Sequence, residues 1–325
     1  MEIPNSTLLA IPDQDQQELG LDPSAAMIND RNVKDYGCVW DGPNYSCAFD
    51  SVFMATFSMY RYADPPWRQQ WRDSSNFNFM VAGLFDNILT TMRVPLLRRR
   101  LPSLFNTYRD QVRAHLNALD SINFPRCGQT LIAASDIFAQ MCRSEGDRHL
   151  VHLKFTCGNG AHKPRVKRYS ATFILVVHKP SPDERVSTKK PALQMWLSSY
   201  FREMQAIPRR CKTCNELCPR SSLSVTPLPW IWIDIPPDHD QMFSLSTTLT
   251  IEQDSGPNIG YTLVGIVYAG GAHFSARWWD ASGRWWAYDG MVDSGRPSLD
   301  PVADDTQLTT LRNRVMNILI FRLVP

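Results

Sequence analysis

The stretch GPNYSCAFDSVFMATFSMY, residues 42–60, joins a turn directly to an amphipathic helix. Its apolar residues recur at the spacing of one helix face, and Cys47 lies where the helix begins. The free amides and the dipole at a helix N-terminus favour a thiolate, so we expect a lowered pKa for Cys47. The segment is consistent with a nucleophile, and also with a small thiol buried in the core.

A second stretch, GGAHFSARWW (residues 270–279), is followed by a Ser-Gly turn and by RWWAYDG (residues 284–290). This pattern predicts a β-hairpin. His273 would start the first strand and Asp289 would end the second, which places the two side by side. An aspartate there holds an imidazole in the tautomer that a general base needs. The alternative is an ordinary strand histidine.

Composition excludes several classes of protein. The chain has 325 residues, 43% of them hydrophobic, so global disorder is excluded. Lys and Arg total 34 and Asp and Glu total 32, a net charge of +2 that gives no case for nucleic acid or an anionic membrane as partner. The acidic N-terminus lacks the features of a secretory signal. We therefore expect an intracellular location, cytoplasmic or nuclear, with the eight cysteines reduced.

The order of the predicted elements indicates an α+β fold. Residues 1–33 are polar and aperiodic and are expected to form a flexible leader. Helices are predicted from Cys47, over about 80–120 with breaks at Pro95 and Pro102, and over 129–142. After residue 145 the pattern changes to short strands. Helices first and strands second are typical of α+β rather than of a doubly wound parallel sheet.

Two pairs of soft metal ligands suggest a zinc site. Cys211 and Cys214 have knuckle spacing, and Cys157 and His162 form a second pair on a glycine-rich turn. Two such turns separated by a long segment are typical of a structural zinc ribbon. Four protein ligands leave no position for water, so such a zinc would hold structure and do no chemistry. Cys218 is a spare ligand, and reduced thiols without a metal are the alternative.

Five segments, taken together and in order, resemble the ubiquitin-specific proteases. CAFDS at 47–51 is similar to the cysteine box of that family, and GAHF at 271–274 with the Trp-x-x-Tyr-Asp of 285–289 is similar to its histidine box. Segments 128–138, 228–233 and 317–322 are similar to its glutamine-led helix, its Leu-Pro strand and its last strand. The sequence is thus identified as a divergent member, over residues 34–325.

The resemblance implies a papain-like cysteine protease fold, with a helical thumb (47–145), zinc-ribbon fingers (150–225) and a β-rich palm (225–325) in one catalytic domain. It implies a thiol-dependent deubiquitinase that hydrolyses the bond after the C-terminal glycine of ubiquitin or a ubiquitin-like modifier. Cys47, His273 and Asp289 would be catalytic. A monomer is expected, with ubiquitin and its conjugates as partners.

The substrate-binding residues also follow from the resemblance. Gly270 and Gly271 would leave a narrow track for a Gly-Gly tail, and Gln129 would contact the substrate. The family has an oxyanion-binding Asn five residues before the nucleophile, where this chain has Gly42; Asn44 is the nearest substitute. This departure favours one rival, a catalytically decayed ubiquitin-binding scaffold. A papain-like protease with a different peptide substrate is a further alternative, and the paired knuckles argue against it.

Overall fold

The chain is described by a computed structural model over residues 36–126, 131–141, 151–169, 173–175, 192–235, 243–302 and 304–324. These residues belong to the unit Lys34–Pro325. The predicted leader, residues 1–33, lies outside the described residues.

The first part of the unit is helical, as predicted. Its helices are α1 (Cys47–Tyr62), α2 (Pro65–Arg72), α3 (Asn76–Arg93), α4 (Leu101–Leu119) and α5 (Ala134–Met141). A short 3-10 helix at Pro95–Arg100 separates α3 from α4, which matches the predicted break at Pro95. A helix boundary also lies beside Pro102, as predicted, because α4 begins at Leu101 and Pro102 stands in its first turn, where the missing N–H has no helical partner to lose.

Helix α1 is buried on all sides, from Cys47 to Tyr60. One face packs in an aromatic core, where Phe53 meets Phe85 and Phe57 meets Phe105, each at 5.2 Å between ring centroids and edge to face. Its other side packs against the sheet, on the strand that carries His273. The helix that begins at Cys47 is therefore held between both halves of the unit.

The second part is a large sheet. Its strands are β3 (Phe173–Leu175), β5 (Trp230–Asp234), β6 (Thr248–Ile251), β7 (Ile259–Gly270), β8 (His273–Trp279), β9 (Trp285–Tyr288), β10 (Ser298–Asp300), β11 (Thr310–Leu311) and β12 (Arg314–Leu323). The main order is β10-β9-β8-β7-β12-β5-β3, and every pair is antiparallel except β3 with β5. Strands β8 and β9 form the predicted hairpin.

A smaller sheet contains β1 (Val151–Thr156), β2 (Arg165–Tyr169) and β4 (Arg220–Val225), in the order β2-β1-β4. The segment 150–225, predicted to form the zinc-ribbon fingers, also contains a helix that was not predicted, α6, which spans Leu193–Ala206. Leu193, Leu197 and Phe201 recur every four residues and pack into the core beside the sheets.

None of the helices in the described part of the chain combines the length and the apolar character that a membrane span requires.

Candidate functional site

The predicted nucleophile lies between helix α1 and strand β8. Cys47 is the first residue of α1 and is 3% exposed. Its sulfur accepts a hydrogen bond from the backbone amide of Phe274, the residue after His273. The fold thus brings the start of the helix to the start of the histidine strand, which are separated by more than two hundred residues in sequence.

The expected lowering of the Cys47 pKa is wrong, because the pKa is raised above the ordinary thiol value of 9.0. Burial is the main cause, since it disfavours the charged thiolate. The amide of Phe274 acts in the opposite direction, and the carboxylate of Asp50 raises the pKa further. The resting thiol is therefore protonated at neutral pH.

The predicted histidine and aspartate are in contact. Nε2 of His273 lies 2.8 Å from Oδ1 of Asp289, and the side chains are 8% and 2% exposed. A carboxylate only accepts, so Nε2 carries the proton and donates it. In that tautomer Nδ1 has the free lone pair that a general base uses.

Asp289 has further partners that the sequence did not reveal. Its Oδ2 accepts from Arg314 at 2.8 Å and lies 3.3 Å from Arg312, and its Oδ1 accepts the amide of Met291 at 3.1 Å. Burial alone would raise the pKa of Asp289, but the hydrogen bonds from His273 and Met291 and the charge of Arg314 hold it well below its usual range. The carboxylate stays ionised next to the imidazole.

A short segment before the nucleophile is tied to both halves of the site. The amide of Trp40 donates to the carbonyl of Gly290 at 3.1 Å, and the hydroxyl of Tyr288 donates to the carbonyl of Cys38 at 2.7 Å. On the helical side, the amide of Val39 donates to the Asn106 side chain at 2.8 Å. The segment is thus fixed against the residues on either side of Asp289.

The indole of Trp40 lies against the histidine. The two ring centroids are 6.1 Å apart, and the ring planes meet at 84°. Neither Trp40 nor Arg314 was singled out from the sequence. Their contacts join residues far apart in the chain, so no local pattern could have revealed them.

Asn44, the predicted oxyanion donor, uses its amide within its own turn. Its Nδ2 donates to Oδ2 of Asp41 at 2.9 Å, while its carbonyl accepts from Arg113 at 2.7 Å. Asp41 in turn is held by Ser46, whose hydroxyl accepts the Asp41 amide at 2.7 Å and donates to Asp50 at 2.7 Å. The Asn44 side chain therefore supports the turn that leads into α1.

The predicted substrate glycines lie at the turn before His273. Gly270 is the last residue of β7 and pairs with His273, and a Cβ on it would approach Cα of Arg314 to 3.3 Å. Gly271 and Ala272 form the two-residue loop with φ of +59° and +57°, as a type I′ hairpin requires. Gln129, the third predicted substrate contact, lies outside the described residues.

The four predicted metal ligands converge. The ligand atoms of Cys157, His162, Cys211 and Cys214 all lie within 4.8 Å of one another. Cys157 follows β1, and the Cys211–Cys214 knuckle precedes β4, its neighbour in the small sheet. The spare candidate Cys218 is not in the group.

Three of the separations between the ligand atoms fit a tetrahedral zinc. Zn–S bonds of about 2.3 Å and Zn–N bonds of about 2.0–2.1 Å place two ligand sulfurs about 3.8 Å apart, and a sulfur and a nitrogen about 3.5 Å apart. The Cys157 and Cys214 sulfurs are 3.6 Å apart, and Nδ1 of His162 lies 3.5 Å from Cys157 and 3.6 Å from Cys211. These four residues can hold a metal ion in a closed site.

Comparison with known proteins finds solved structures with a similar fold. No protein-family model matches the sequence, and no curated protein matches it. Solved structures do match. One is the SAGA DUB module of Ubp8, Sgf11, Sus1 and Sgf73 bound to monoubiquitin, with a TM-score of 0.57 and 11% identity over 96% of this chain and 74% of that one. The same module bound to ubiquitin aldehyde matches with a TM-score of 0.54 and 12% identity over 92% of this chain and 72% of that one.

A further match is the pseudoubiquitin hydrolase-RNA exonuclease module of Saccharomyces cerevisiae Pan2. Its TM-score is 0.51 at 9% identity, and the match covers 90% of this chain and 55% of that one. Likeness at such identities concerns the fold. The predicted papain-like α+β class is confirmed at that level: the chain mixes helices and sheet as deubiquitinase folds do, and its Cys/His cluster is compatible with a zinc ribbon.

Proposed function

We propose that the chain is a cysteine hydrolase that cleaves the bond after the C-terminal glycine of ubiquitin or a ubiquitin-like modifier, through a thioester on Cys47. The observation that carries the proposal is the buried His273–Asp289 hydrogen bond of 2.8 Å next to a thiol that accepts the amide of Phe274. A nucleophile, a base and a group that orients the base are the parts that acyl transfer needs.

The first half of the reaction forms the thioester. Nδ1 of His273 takes the proton of Cys47 as its sulfur attacks the glycine carbonyl carbon, and the π electron pair moves to the oxygen. The backbone amides at the start of α1 stabilise this oxyanion. When the pair returns, the bond to the leaving amine breaks, and the amine takes the proton from His273.

The second half releases the acyl group. His273 takes a proton from water, the hydroxide oxygen attacks the thioester carbon, and the C–S bond breaks. The sulfur of Cys47 recovers its proton from His273, and the glycine leaves as a carboxylic acid. Throughout, Asp289 keeps Nε2 of His273 protonated and stabilises the imidazolium.

Ubiquitin as the substrate is supported by the likeness to a DUB module bound to monoubiquitin and by the glycines that line the turn before His273. We propose that Gly270 and Gly271 lie along the path of the Gly-Gly tail, with Gln129 as a further contact. The partners we propose are ubiquitin or a related modifier and its conjugates. The neighbours are multi-subunit modules, so a monomer remains a prediction for this chain.

For the metal site we propose structural zinc held by Cys157, His162, Cys211 and Cys214. Bound there, zinc would supply no chemistry, because four protein ligands fill its tetrahedron. The residues would tie the end of β1 to the segment before β4, and so fix the small sheet.

The rival function is a ubiquitin-binding scaffold without activity. The raised pKa of Cys47 favours it, as does the likeness to a pseudoubiquitin hydrolase module. The intact contact between His273 and Asp289 favours the enzyme.

Hydrolysis of ubiquitin carrying a C-terminal rhodamine separates the two functions. We expect turnover by the full chain, loss of turnover in Cys47→Ala, and retention in Cys38→Ala, a matched control that removes another buried thiol. A folded wild-type chain that binds ubiquitin but releases no rhodamine would establish the scaffold instead.

A further inference from the structure

The indole N–H of Trp40 is a buried hydrogen-bond donor without a partner. Its Nε1 is shielded from solvent and makes no hydrogen bond among the described residues. Most buried donors in proteins are paired, and an unpaired one lowers the stability of the fold. Here the unpaired donor belongs to the ring that lies against His273, at 6.1 Å between centroids.

The backbone that carries this ring is held by hydrogen bonds on both sides. The amide of Trp40 donates to the carbonyl of Gly290, which follows Asp289. The amides of the residues on either side are also hydrogen-bonded. The amide of Val39 donates to the Asn106 side chain, and the amide of Asp41 donates to the Ser46 hydroxyl. A bound substrate must uncover Nε1 to reach it, and the fixed backbone then keeps the donor beside His273, where it can stabilise developing charge.

Gly42 makes room for the indole. A Cβ on Gly42 would lie 2.9 Å from Cη2 of Trp40 and within 3.2 Å of two more of its carbons, so any larger residue would displace the ring. The indole therefore fills the space that a side chain at position 42 would take. The other nearby candidate donor, the amide of Asn44, is bonded to Asp41.

We propose that the N–H of Trp40 is the side-chain donor to the oxyanion formed when Cys47 attacks its substrate. This inference rests on the proposed hydrolase function. As the C–S bond forms and the carbonyl π pair moves to oxygen, the indole donates its hydrogen bond to that oxygen. The bond weakens when the pair returns and the amine leaves, and Trp40 keeps its proton throughout.

The test is Trp40→Phe, which keeps an aromatic ring beside His273 and removes the donor. With ubiquitin–rhodamine as substrate we expect kcat to fall about 10²–10³-fold with KM little changed, the usual effect of deleting one oxyanion donor. Alkylation of Cys47 by iodoacetamide should keep its wild-type rate, because substitution at a saturated carbon builds no oxyanion. A second variant has 3-benzothienylalanine in place of Trp40, which keeps the size of the indole and lacks the N–H. If Trp40→Phe fails to fold, this variant gives the same test.

Trp71→Phe is the matched control. Trp71 also has a buried, unpaired indole N–H, but it stacks on Phe85 among the helices, at 5.9 Å and 10°. We expect its kcat per folded molecule to equal that of the wild type.

Three outcomes would overturn the inference. If the position-40 variants keep most of the wild-type kcat, the donor is not needed. If cleavage and alkylation fall together, Trp40 only keeps Cys47 in place. If the wild-type chain itself releases no rhodamine, the proposed function fails and the inference fails with it. If the wild type and the position-40 variants are equally active, only the inference about Trp40 is refuted.

Discussion

The protonation state of Cys47 can be tested by the pH dependence of its alkylation. Burial and the nearby Asp50 raise the thiol pKa above 9.0, despite the helix N-terminus and the amide of Phe274. In the proposed mechanism His273 then acts as a general base during the attack, rather than holding a preformed thiolate–imidazolium pair. The pH dependence of alkylation, measured with and without His273, should distinguish a protonated resting thiol from a preformed ion pair.

The size of the effect follows from the position of the pKa. With a pKa above 9, less than about 1% of Cys47 is thiolate at pH 7, and this fraction grows about tenfold for each pH unit. Alkylation should therefore be about 50- to 100-fold faster at pH 9 than at pH 7, with the lower figure for a pKa just above 9. A preformed ion pair would already be thiolate at pH 7, and its rate would change little over the same range.

The assay is iodoacetamide labelling of the folded chain between pH 6 and 9.5, with the modified Cys47 peptide counted by mass spectrometry. Cys47→Ala identifies the signal. His273→Ala should leave the rate at pH 7 nearly unchanged, because the resting chain has no ion pair to lose. A rate that reaches its plateau below pH 7, and that collapses in His273→Ala, would refute the reasoning.

Two further predictions concern the dyad and the metal site. Asp289→Asn should lower kcat by about 10²–10⁴-fold, because the arginines on Oδ2 attract the amide oxygen and turn the NH₂ towards His273, which favours the wrong tautomer. Asp300→Asn, in the same sheet, is the control. Near-normal kcat in Asp289→Asn would contradict the proposed role of the His273–Asp289 pair. Cys211→Ser should reduce bound zinc from about one per chain to none by elemental analysis, while Cys218→Ser keeps it; equal zinc in both variants would contradict the ligand set.

Local patterns were enough to predict the elements that carry the candidate site. The helix at Cys47 follows from apolar spacing behind a turn, and the hairpin of His273 follows from two strands around a Ser-Gly turn. The hairpin brings Asp289 near His273, and because its register pairs Ala276 with Tyr288, the two side chains meet diagonally across the strands.

What the sequence did not reveal depends on contacts between distant residues. The pKa of Cys47 is decided by burial between α1 and β8, which outweighs the helix-end effect that the local sequence suggests. The arginine on Asp289 comes from a residue 25 positions later. Helix α6 was missed although Leu193, Leu197 and Phe201 have helical spacing, because the surrounding segment was interpreted as a β insertion.

The central claim is that Cys47 attacks the C-terminal carbonyl of ubiquitin, and a ubiquitin with a C-terminal electrophile tests it most directly. The account predicts one ubiquitin joined per wild-type chain, with the new bond mapped to Cys47 by mass spectrometry and absent in Cys47→Ala. A folded wild-type chain that stays unlabelled, or a bond that maps to another cysteine, would contradict it.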